Sequence, residues 1–200
     1  EGKADLLAQA EEILGGKARL FGGEPVELKL SIPGKLEHWS VYETGKVDLR
    51  PLAADIKFLW EPARFGWAFT LGRAYRLTGD ERYPETFWHY FELFTDSNPA
   101  YLGPQWTSGQ EAALRLMAFV WAGQVFAEAQ ASSPDRLARL AKSVAEHAQR
   151  LPLTFVYARS QQNNHLLVEA AGLFTAGLAL PDHPQASKWQ RMGWEWLNRG

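Results

Sequence analysis

Two stretches of this chain are apolar on nearly every helical face, and they limit the fold more than any other feature. Leu114, Leu116, Met117, Phe119, Val120, Trp121, Val125 and Phe126 fill the first. Leu166, Leu167, Val168, Leu173, Phe174 and Leu178 fill the second. A helix without a polar face is either buried or crosses a membrane. Arg115, Gln124 and Glu169 interrupt these runs, and neither reaches the length of a clean span, so burial is the reading.

Each run belongs to a pair of helices. The first pair is predicted over 64–77 and 81–94 around the turn Thr78-Gly79-Asp80, with capping-box spacing between Thr78 and Glu81 and Asp80 as a competing cap. The second runs from Ser108 to Ala129 and restarts at Ser133-Pro134-Asp135, a Ser cap followed by Pro at the first helical position, to end at Arg150. The third runs from Ser160 to Ala179, turns through Pro181-Asp182-His183-Pro184, and returns to Asn198. Starts at 64, 108 and 160 are spaced by about fifty residues, as stacked helical hairpins require. Upstream, a helix over 5–14 closes at Gly15-Gly16, and a Gly/Pro-punctuated segment with an extended piece at 26–32 follows. The expected organisation is therefore a helix and wrapping segment in residues 1–52, then three hairpins in 53–200. Together they make an all-α, incomplete α/α toroid whose buried inner helices are backed by amphipathic outer ones.

Composition excludes several classes. With 46% hydrophobic and 22% charged residues, the chain is not disordered, and a net charge of -2 gives no nucleic-acid footprint. The absence of cysteine excludes disulfides, zinc-thiolate sites and a cysteine nucleophile. Nine Trp, six Tyr and eleven Phe suit a large core or a carbohydrate-facing cleft. No targeting segment is visible, and a chain that begins and stops on helical runs reads as a piece of a longer polypeptide.

In a toroid, polar residues at the starts of the inner helices ring the mouth of a central cleft. Three aromatic-plus-polar clusters fall there: Trp60-Glu61-Pro62-Ala63-Arg64, Gln105-Trp106-Thr107-Ser108-Gly109-Gln110-Glu111, and Tyr157-Ala158-Arg159-Ser160-Gln161-Gln162-Asn163-Asn164-His165. Each has a structural alternative. Glu111 has capping-box spacing from Ser108 and ion-pair spacing to Arg115, which does not prevent Arg115 from facing the cleft and binding an anion. Trp60 and Trp106 fit the core as well as a sugar, and Arg64 and Arg159 fit solvent as well as the cleft. Asn163 and Asn164 fall inside a first turn where Asn has poor propensity, since Ser160 makes the better cap. His165 and Glu169 are spaced for the carboxylate to orient the imidazole. No third ligand at suitable spacing joins them, so neither a metal nor a cofactor is expected.

At these clusters the sequence resembles the heparinase II/III-like polysaccharide lyases and their alginate-lyase-like relatives, in the N-terminal helical portion. The matching stretches are Asp55-Ile56-Lys57-Phe58-Leu59-Trp60-Glu61-Pro62-Ala63-Arg64-Phe65-Gly66-Trp67, then Trp106-Thr107-Ser108-Gly109-Gln110-Glu111-Ala112-Ala113-Leu114-Arg115, and the Asn163-Asn164-His165 element in its helical context. The resemblance implies an incomplete toroid followed by a β-sandwich domain, and β-elimination of a uronate-containing polysaccharide. It implies Asn164 as the donor that neutralises the substrate carboxylate and His165 as an active-site partner in proton transfer. The expected binding residues are Trp60, Arg64, Trp106, Gln110, Glu111, Arg115, Arg159 and Asn163. The family's catalytic Tyr and second His lie on later segments, so residues 1–200 alone are expected to be inactive and, with apolar helix flanks uncovered, poorly soluble. The expected partner is an acidic polysaccharide, with neither nucleic acid nor a membrane span, and the resemblance favours a periplasmic or secreted location. Two alternatives stay open on the residues: an α/α-toroid glycoside hydrolase using Glu111, Glu169, Glu61 or Asp55, and a non-catalytic module that holds acidic glycans.

Overall fold

The chain begins with helix α1 (Lys3–Leu14), then a small antiparallel sheet of β1 (Lys17–Arg19) and β2 (Pro25–Glu27) in which Ala18 faces Val26. Helix α2 (Trp39–Glu43) and helix α3 (Lys57–Ala63) complete the wrapping segment. The computed structural model describes residues 2–44, 46–53, 55–154 and 164–199. Three helical pairs follow: α4 (Ala68–Thr78) with α5 (Arg82–Ser97), α6 (Gly109–Phe126) with α7 (Pro134–Arg150), and α8 (Asn164–Ala179) with α9 (Ala186–Leu197). The expected toroid portion is present. Among the described residues no helix is long and apolar enough to cross a membrane.

Local sequence explains most boundaries. Ser133 caps α7 by accepting from the Arg136 N–H at 3.2 Å, and α7 spans the residues read from sequence. At α5 the cap is Asp80, whose carboxylate accepts from the Arg82 N–H at 3.0 Å, while Thr78 bonds within α4. The first inner helix starts at Ala68, later than the expected 64, because the chain turns at Phe65. Phe65 has φ 59°, a left-handed conformation that costs a bulky residue roughly 1–2 kcal/mol. Complete burial of its ring against Phe94 and Phe119 offsets this cost.

Close approaches fix the direction of each helix. A Cβ at Gly172 would stand 2.8 Å from that of Ala113, and one at Gly109 would stand 2.6 Å from the Glu169 carboxyl, so α6 and α8 run parallel. Gly193 meets α8 at Ala170 and Phe174 while Gly177 meets α9 at Ala186 and Gln190, so that pair is antiparallel. Arg115 bonds His147 near one end of the α6–α7 pair and Gly123 meets Leu140 near the other, again antiparallel. Inner helices therefore share one direction, and their starts collect at one end of the molecule.

Between the layers lies an aromatic core. Phe65, Phe87, Phe91, Phe94, Phe119 and Phe126 are fully buried and meet mostly edge to face. Each such ring contributes about 1.5–3 kcal/mol through burial. Leu167, Leu178 and Trp194, on the last pair, remain exposed.

Candidate functional site

The shared end of the inner helices is built on buried polar groups. Arg115, one and a half turns into α6, is wholly buried. Its Nε donates to His147 Nε2 at 2.8 Å, Nη1 to the Ala63 carbonyl at 3.0 Å and Nη2 to the Gln105 carbonyl at 2.8 Å. The guanidinium also lies over the Phe94 ring at 4.7 Å. His147 Nε2 must be the unprotonated nitrogen, so Nδ1–H donates to the Ser143 carbonyl at 2.7 Å. One Arg thus ties α3, the 103–108 turn, α6 and α7 together. The pairing of Glu111 with Arg115 and the anion-binding role for Arg115 are corrected here. With every face of the guanidinium covered, no ligand atom reaches it.

Trp106 is corrected for the same reason. Only 2% of it is exposed; its Nε1 donates to the Asn98 carbonyl at 3.2 Å, and its ring lies 4.4 Å from that of His147. It is a core plug, and sugar does not stack on it. Trp60 is half-buried, with Nε1 donating to the Pro104 carbonyl at 3.0 Å, and Gln110 is half-buried in the first turn of α6.

Arg64 and Glu111 come together from separate elements. Arg64 Nε and Nη2 grip the two Glu111 oxygens at 2.6 and 2.8 Å, and Nη1 donates to Glu61. Glu111 raises the Arg64 guanidinium above its ordinary range. Ser108 Oγ accepts from the Glu111 N–H at 3.4 Å, so half of the expected capping box forms while the carboxylate turns to Arg64. Arg64 therefore meets any acidic ligand with its charge already paired.

The third cluster supplies the exposed groups. Asn164 is exposed and His165 half-buried at the start of α8. Because Gly109 is level with Glu169, Asn164 stands about 7.5 Å, five residues of helix rise, beyond the first residue of α6. Tyr157, Arg159, Ser160 and Asn163 lie outside the described residues. Glu169, expected to orient the imidazole, is only 1% exposed and accepts from Thr154 Oγ1 at 3.2 Å. Burial raises its carboxyl to about 7, against the pull of Thr154 and Arg150. Arg150, on the last turn of α7, donates to the Trp106 and Thr107 carbonyls at 3.0 and 2.7 Å and to Thr154 Oγ1 at 3.2 Å. His147, Arg150 and Thr154 were not singled out from sequence. His147 and Arg150 follow ordinary helical spacing on an outer helix and Thr154 lies just past its end, and only the fold brings them beneath the mouth. Among the described residues no cluster of three or more His, Asp or Glu is placed to hold a metal.

Two of these groups set opposing pH dependences. Burial, and then the Arg115 cation, push His147 well below its ordinary 6.5. The unfolded chain takes up a proton below 6.5 that the folded chain refuses, so this contribution weakens stability as pH falls. Glu169 is raised from 4.5 to about 7. In that window the folded chain keeps a proton the unfolded chain has released, so its contribution is complete below 4.5 and lost as pH rises through about 7. The two slopes largely cancel between about pH 4.5 and 6.5, so Glu169→Gln is expected to leave the His147 slope uncompensated and to make the melting midpoint fall more steeply as pH drops below about 6.5. An unchanged profile in that variant would show that Glu169 does not titrate in this range.

The profile of the Heparinase II/III N-terminus family matches residues 35–200, and the chain belongs to that family. It is similar to a heparin-sulfate lyase of Bacteroides thetaiotaomicron, 26% identical over 168 residues that cover 82% of this chain and 24% of the relative. The heparan sulfate lyase HepC of Pedobacter heparinus shares the fold at a TM-score of 0.78 and 20% identity, over 99% of this chain and 29% of that one. A heparinase III structure does so at 0.77 and 22%, over 99% and 31%. The chain therefore spans about a quarter of the length of the curated relative it matches.

Proposed function

We propose that this chain is the N-terminal helical part of a polysaccharide lyase that cleaves a uronate-containing glycan, of the heparan sulfate type, by β-elimination. Family membership and the similarity to heparin-sulfate lyases support this reading. The observation that carries it is Asn164 with His165, presented on the first turn of a largely apolar helix, over a base of buried hydrogen bonds.

The chemistry needs such groups. The C5 proton of a uronate is weakly acidic, because its loss places a second negative charge beside the carboxylate. An amide N–H from Asn164 aimed at that carboxylate stabilises the enolate-like intermediate, as an oxyanion hole does. A base removes the C5 proton, the C4–O bond breaks, and an acid protonates the departing oxygen, with His165 assisting proton transfer. Trp60, Gln110, Arg159 and Asn163 remain as binding residues. Arg64 and Glu111 contribute as a preformed pair that shapes the rim.

The hydrolase alternative loses its carboxylates. Glu61 and Glu111 are both paired to Arg64, Glu169 is buried, and Asp55 caps the Lys57 N–H at 2.8 Å. A substrate panel tests the proposal. The full-length protein is expected to raise ultraviolet absorbance with heparan sulfate and to leave a neutral glucan unchanged. Binding of heparan sulfate without any product would move the assignment to a glycan-holding module.

A further inference from the structure

We propose that Glu169 is a positioning residue for this reaction: through Thr154 it fixes the first turn of α8, and with it Asn164 and His165, against the start of α6. The inference rests on the lyase reading and deepens it.

The geometry converges on one carboxyl. Glu169 lies four residues after His165, on the same face of α8 and one turn deeper. Its Oε2 accepts from Thr154 Oγ1 at 3.2 Å, and Arg150 Nη1 donates to that same hydroxyl at 3.2 Å. A threonine hydroxyl has a single proton, which here can go to the Leu151 carbonyl, also at 3.2 Å, or to Glu169. Donation from Arg150 polarises the hydroxyl, and Glu169 Oε2 accepts its proton whether the carboxyl is ionised or neutral. The chain Arg150–Thr154–Glu169 thus joins the end of α7 to α8 across the residues in between.

The start of α6 closes on this pair. A Cβ at Gly109 would stand 2.5 Å from Thr154 Oγ1 and 2.6 Å from Glu169 Oε1, so only glycine lets α6 seat there. Packing alone does not call for a carboxyl at this place. Burial penalises its charge, and an apolar side chain of similar volume would fill the space without that penalty. What the carboxyl adds is direction: it locks the register of α8 against α6, with Asn164 about five residues of rise further out. A displacement of about 1 Å at a reacting group costs on the order of 100-fold in rate.

The test uses the full-length protein and the unsaturated product formed from heparan sulfate. Glu169→Ala is expected to lower kcat about 10- to 100-fold with KM within about twofold, and Glu169→Gln, which keeps an acceptor for Thr154, to restore most of it. Thr154→Val should behave like Glu169→Ala, and Thr154→Ser like the unaltered protein. These two variants carry the test if Glu169→Ala does not fold. Because Glu169 acts through Asn164 and His165, adding Glu169→Ala to a variant that already carries Asn164→Ala and His165→Ala should cost no further rate. Additive losses, an effect on KM alone, or full activity in Glu169→Ala would overturn the proposal while leaving the lyase reading intact. Absence of unsaturated product from the unaltered protein would overturn both.

Discussion

Asn164→Ala in the full-length protein is expected to lower kcat about 100- to 1,000-fold, the usual loss when one donor to a developing oxyanion is removed. KM should change far less, because the amide is worth most once charge has moved onto the substrate carboxylate. Asn164 is exposed, so the substitution leaves no buried group unpaired and the melting temperature should stay within about a degree or two. Steady-state kinetics beside a thermal melt separates these effects. If instead KM rose with kcat unchanged, Asn164 would be a binding residue that does not distinguish ground state from transition state.

The largest effect on stability is expected at Arg115. Arg115→Met keeps much of the volume but leaves the Ala63 and Gln105 carbonyls and His147 Nε2 without their donor inside the fold. Breaking a buried charged network from one side costs about 3–5 kcal/mol. Arg115→Lys should recover little of this, since an ammonium cannot reproduce a planar fork that reaches three acceptors on three elements. Denaturant unfolding of the full-length protein measures it. A cost below about 1 kcal/mol would contradict the keystone role and return Arg115 to the cleft.

The architecture was legible in the sequence because it rests on local rules. Apolar runs too short to span a membrane, a Ser-Pro start at α7, and turns at Gly79 and Pro181–Pro184 place the hairpins without any tertiary information. Phe65 escaped that reading. Its left-handed backbone is imposed by the ring's place in the core, which no local signal in this single sequence reveals. The mouth was legible as a location, since inner-helix starts must collect at one end, but not in its division of labour. Spacing offered Glu111 a partner in Arg115 four residues on, whereas the fold supplied Arg64 from just past the end of α3. Trp106 illustrates the same limit: a Trp beside polar residues reads alike whether it stacks on sugar or, as here, on His147.

The central claim is that this chain forms part of a lyase, and the chemistry at the cut decides it. Elimination creates one conjugated C4–C5 double bond for every new reducing end, whereas hydrolysis creates reducing ends alone. With the full-length protein and heparan sulfate, ultraviolet absorbance and reducing-end titration should rise together in equal molar amounts. Reducing ends that accumulate without the absorbance would contradict the account.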